Sequence, residues 1–102
     1  MSKILSLDTS SKITGYAVYY DGKLVRYSSI DKTDVKDGNQ RLRMMISELM
    51  TLIEREAPDV VVVEETVVTR NPQTQRMLSM ILGAILGVCV SYGFTYCALR
   101  PT

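Results

Sequence analysis

The chain has 102 residues, 46% of them hydrophobic and 23% charged. That is enough for one ordinary domain and too little for two, and the composition excludes a disordered polymer. A formal net charge of +1 gives no global mark of a nucleic-acid partner.

Met1-Ser2-Lys3 runs straight into a strand pattern, so no signal peptide is expected. The strand covers residues 3–8 and ends in Asp8. Thr9-Ser10-Ser11-Lys12 is a polar turn, and Ile13 to Tyr20 reads as a second strand with Gly15 inside it. Asp21-Gly22 is a hairpin signal, because both residues tolerate positive φ. Leu24 to Ile30 completes an antiparallel meander of three strands.

Asp31 to Gly38 is a charged, turn-rich connection. A helix is predicted from about Asn39 to Ala57, where Leu42, Met45, Ile46, Leu49, Leu52 and Ile53 repeat at the spacing of one apolar face. Pro58 stops it. The fourth strand is Val60-Val61-Val62-Val63-Glu64, extending at most to Glu65. Four consecutive valines favour a strand over a helix, and a strand apolar on both faces belongs inside a parallel sheet. Asn71-Pro72 favours a turn into a second helix over about 73–92. Beyond Met77 that helix is apolar nearly all round, so it needs cover on more than one side; a second protomer is one such cover. Met77 to Phe94 carries no charge for eighteen residues, the lower limit of a membrane span, and is read here as a buried helix. Gly83 and Gly87 stand four apart, a spacing that permits close backbone approach. Gly93 is the expected helix cap. Phe94 to Leu99 is a fifth strand.

The order is β-β-β-α-β-α-β, an α/β pattern with an antiparallel edge. The chain stops just after a strand, with no helix for one side of the sheet, and is expected to be the front part of a longer protein. Cys89 and Cys97 lack metal-ligand spacing; both are expected to be buried thiols in a cytoplasmic protein.

Two apolar strands ending in a carboxylate set the functional expectation. A right-handed crossover through the first helix can place the fourth strand beside the first and parallel to it. Asp8 and Glu64 then lie at the carboxyl end of neighbouring strands, where open α/β sheets collect ligands. Two carboxylates that close repel unless a cation bridges them, and their oxygens suit Mg²⁺ or Mn²⁺. Glu65 would replace Glu64 if the register slipped by one, because successive strand residues face opposite sides. Charge is also uneven. Residues 1–65 hold nine basic and eleven acidic side chains, whereas 66–102 hold Arg70, Arg76 and Arg100 and no acid. That asymmetry fits a basic surface beside an acidic site, and equally ordinary surface charge.

The stretch Ile4-Leu5-Ser6-Leu7-Asp8-Thr9-Ser10-Ser11-Lys12-Ile13-Thr14-Gly15-Tyr16-Ala17-Val18 resembles the opening of RuvC-type Holliday junction resolvases. Pro58-Asp59-Val60-Val61-Val62-Val63-Glu64 is similar to that family's second acidic strand. The similarity runs over the whole chain, with the flavour of a phage-type or divergent bacterial member. It implies an RNase H-like fold, a homodimer through the 73–92 helix, and Mg²⁺-dependent nicking of four-way DNA junctions. Asp8 and Glu64 carry over as two metal ligands and catalytic residues. The family's remaining acids lie on a C-terminal helix that this chain lacks, which implies that these residues alone are inactive. Val67 and Val68 stand where the family often has an aromatic residue. Lys12, Arg70, Asn71 and Arg76 are the expected DNA contacts. Two other classes share parts of the pattern: an actin/sugar-kinase-like nucleotide-binding or TsaB-like scaffold module, and a non-catalytic dimerisation domain.

Overall fold

A computed structural model describes residues 2–64 and 71–99. Strands β1 (Lys3–Asp8), β2 (Ile13–Tyr20) and β3 (Lys23–Asp31) form the meander. Helix α1 (Gly38–Glu56), strand β4 (Val60–Glu64), helix α2 (Pro72–Tyr92) and strand β5 (Thr95–Leu99) follow. The β2–β3 turn takes Asp21 at φ 49° and Gly22 at φ 82°, as a tight hairpin requires.

Each helix boundary has a chemical cause. The Asp37 side chain accepts a hydrogen bond from the Asn39 N–H at 3.3 Å and opens α1. Ala57 closes it in the left-handed region, and its N–H donates to the Ile53 carbonyl; Pro58 cannot continue the helix. Asn71 opens α2 by accepting from the N–H groups of Gln73 (3.0 Å) and Thr74 (3.3 Å). Pro72 occupies the first turn, where no donor is needed. Gly93, at φ 76°, closes α2.

The sheet order is β3-β2-β1-β4-β5, with β1–β4 and β4–β5 parallel. Both helices lie on one face. Leu5, Leu7, Val18, Val61 and Val63 point to that face and are fully buried. Met45, Leu49 and Ile53 of α1 and Ile81, Ile85 and Cys89 of α2 meet them. Strand alternation sends Ile4, Ser6 and Asp8, and Val60, Val62 and Glu64, to the opposite face. No described element covers that face.

Two expectations need adjusting. Cys89 is buried, and burial pushes its thiol pKa up, but Cys97 is exposed. The reason is topological: β5 is an edge strand, and Cys97 stands beside Val62 on the uncovered face. Cover over α2 is also one-sided. It is long and apolar enough to cross a membrane by length and composition. The sheet and α1 bury Ile81, Ile85, Val88 and Cys89, while Met80, Leu86 and Val90 are exposed.

Candidate functional site

The sheet register puts Asp8 directly opposite Glu64. Adjacent strands are about 5 Å apart, so the two carboxylates leave the same face of the sheet as neighbours. Both are exposed. On the other flank, Asp8 stands opposite Gly15 of β2. Among the described residues, a Cβ added at Gly15 would meet nothing within 4 Å, so none of them fills the ground beside Asp8. A glycine inside a strand often marks such room for a close approach.

The turn that follows Asp8 is tightly tied. Thr9 is 3% exposed and Thr14 fully buried. The Thr14 hydroxyl accepts from the Ser10 N–H at 3.3 Å and donates to the Ser10 carbonyl at 3.0 Å. The Ser10 hydroxyl accepts from the Lys12 N–H at 3.1 Å. The Lys12 carbonyl accepts from the Lys32 N–H at 2.7 Å, which fastens the turn to the segment after β3. The Lys12 side chain is exposed at the tip and makes no ion pair among the described residues.

Both helices begin at this end of the molecule, because α2 leaves from the carboxyl end of β4 and α1 runs antiparallel to that strand. Arg76 is exposed in the first turns of α2. Asn71 sits at the same end, with its side-chain oxygen engaged as the helix cap. Arg70 and Glu65, named from the sequence, lie outside the described residues, as do Val67 and Val68. The structure thus brings together Asp8 and Glu64, with Lys12 on the turn beside them. Sequence reading gave Thr14 no role. It is visible there only as part of a Thr-Gly-Tyr string, with nothing to show that its hydroxyl reaches back across the turn.

Hard oxygen donors on adjacent strands, on the same face and without a cationic partner among the described residues, fit two ligand positions for a divalent cation. They do not make a complete set: no group of three or more potential ligands occurs among the described residues.

A mixed sheet in the order 3-2-1-4-5, with carboxylates closing its central parallel pair, defines an RNase H-like domain. The family model described as crossover junction endodeoxyribonuclease RuvC matches residues 4–96. The chain belongs to the RuvC family. A protein of that description from Alkalilimnicola ehrlichii is 32% identical over 99% of this chain and 63% of its own length. The chain thus spans about three-fifths of the curated relatives it matches. Among solved structures, T. thermophilus RuvC in complex with Holliday junction substrate superposes with a TM-score of 0.81, at 17% identity. That match covers 99% of this chain and 66% of the other. The sheet is shared more widely. A Bacteroides thetaiotaomicron protein with an actin-like ATPase fold and unknown function matches at TM-score 0.54 and 11% identity, over 96% of this chain and 32% of its own.

Proposed function

We propose that this chain forms the catalytic sheet of a structure-selective endonuclease that nicks four-way DNA junctions. The observation that carries the reading is the Asp8–Glu64 register in a chain of the RuvC family. Both carboxylates are catalytic residues and ligands for Mg²⁺ or Mn²⁺. Asp8 and Glu64 would hold such cations, and the chemistry these would supply is two-metal phosphodiester hydrolysis, one ion activating water and the other stabilising the leaving oxygen. The residues themselves have simpler tasks. Asp8 and Glu64 concentrate negative charge on one open sheet face, and Gly15 leaves room for a sugar-phosphate strand to approach it. Lys12 and Arg76 supply positive charge to hold that strand in register. Asn71 contributes from the α2 cap, and Arg70 belongs to the same proposed contact set.

The protomers are proposed to pair through α2. Met80, Leu86 and Val90 are exposed on it, and a Cβ added at Gly83 or Gly87 meets nothing within 4 Å among the described residues. Pairing across those glycines would supply the missing cover. The protein is proposed to be cytoplasmic, a divergent bacterial or phage-type member of its family.

A nucleotide-binding reading has the shared sheet in its favour, but the first turn works against it. Phosphate-cradling turns usually carry a glycine, and Thr9-Ser10-Ser11 has none. A dimerisation domain without catalysis leaves the paired carboxylates unexplained.

The test is substitution at the pair. Asp8→Asn and Glu64→Gln, made one at a time in the full-length protein, are expected to abolish nicking of a four-way junction while preserving binding to it. Neither side chain has a structural partner among the described residues. Normal turnover in either variant contradicts the assignment.

A further inference from the structure

A buried hydroxyl lies beneath the proposed site and touches none of its charged groups. Thr14 sits on the helix-facing side of β2, opposite to the side that Asp8 uses. Its Oγ1 makes two hydrogen bonds to the backbone of a single residue, accepting from the Ser10 N–H and donating to the Ser10 carbonyl. One side chain therefore satisfies both backbone groups of a turn residue that has no strand partner. Ser10 in turn accepts from the Lys12 N–H, and the Lys12 carbonyl is tied to Lys32. The chain of bonds runs Thr14–Ser10–Lys12–Lys32. Its second member, Ser10, stands two residues beyond Asp8, and its last, Lys32, directly follows β3.

We infer that Thr14 is a positioning residue: its hydroxyl clamps the turn over residues 9–12 and so fixes the Asp8 carboxylate and the Lys12 ammonium relative to one another. Without the clamp, the strand end at Asp8 is followed by a turn held from one side only. Asp8 is then free to sample orientations that do not converge with Glu64, and Lys12 moves with the turn. Groups that orient a metal ligand from behind affect affinity without touching the ion. Thr14 acts in that way, through backbone rather than through a side chain. The inference rests on the Asp8–Glu64 reading and adds a residue on the opposite face of the sheet.

The experiment compares Thr14→Val, which keeps the shape and loses the hydroxyl, with Thr14→Ser, which keeps the hydroxyl. Two quantities are read at a temperature where all three proteins are folded. One is exchange of the Ser10 amide hydrogen. The other is the Kd for Mn²⁺, followed by the electron paramagnetic resonance of the free ion. Thr14→Val is expected to speed Ser10 exchange and to weaken Mn²⁺ binding about tenfold. Thr14→Ser is expected to restore both. Faster exchange in Thr14→Val with an unchanged Kd would overturn the positioning role, since a purely structural hydroxyl would behave that way. Unchanged Ser10 exchange would overturn the clamp itself. A wild-type protein that binds no Mn²⁺ would overturn the site reading and the inference together, and is distinguished by needing no variant.

Discussion

At the scale of single residues, the two ends of the sheet treat carboxylates differently. Asp8 and Glu64 stand exposed and unpaired among the described residues. Glu56, at the far end of α1, is 6% exposed and receives Lys3 Nζ at 3.1 Å together with the Arg26 guanidinium. Burial alone would raise the Glu56 pKa, but the hydrogen bonds and charges of Arg26 and Lys3 outweigh it and hold the carboxyl below its ordinary value. Its contribution to stability is therefore complete above the ordinary carboxylate range and fades as the pH falls through the depressed folded-state value. Glu56→Gln is expected to cost about 1 kcal/mol at neutral pH, a modest figure because Arg26 is half exposed. The gap to wild type should close on acidification, as read by urea unfolding at neutral and acid pH; a gap that widened instead would contradict the assignment. The ion pair was not legible in the sequence. Lys3, Arg26 and Glu56 are far apart in the chain, and only the sheet order brings them together. Asp8 and Glu64 were legible because each ends an apolar run, and a carboxylate in that position has few explanations.

At the scale of elements, the caps can be tested directly. Asn71→Ala removes the acceptor for two N–H groups at the start of α2 and should lower stability by about 1 kcal/mol, whereas Asn71→Ser should retain most of it. Thermal unfolding distinguishes them. Equal loss in both would show that the cap is not what Asn71 supplies to the fold. The α2 glycines make the opposite prediction. Gly83→Ala and Gly87→Ala meet open space among the described residues, so each should stabilise the protomer by about 0.5–1 kcal/mol. If the proposed dimer packs across them, the same substitutions should weaken association in sedimentation experiments. Gain in both properties would move the interface elsewhere. Helix positions and caps were readable from local chemistry: Asn71-Pro72 before α2, Gly93 after it, Pro58 after α1. What covers each face of α2 was not, since periodicity cannot count neighbours on a helix that is apolar nearly all round. The exposure of Cys97 was missed for a related reason: an apolar five-residue run looks the same in the middle of a sheet and at its edge.

At the scale of the whole molecule, the account reduces to a parallel pairing between the first and fourth strands. The crossover rule made it an available arrangement, because a right-handed return through α1 can land beside β1, and the carboxylates that end both apolar strands gave the reason to expect it there. The tie between Thr14 and Ser10 was beyond reach, since a threonine in a strand gives no hint of which turn its hydroxyl meets. The measurement that bears most directly on the central claim is Mn²⁺ binding by the wild-type protein, Asp8→Asn and Glu64→Gln, by isothermal titration at one pH and ionic strength. The account predicts a binding event in the wild type that either substitution abolishes or weakens by at least tenfold. Binding of equal strength in all three proteins would contradict it.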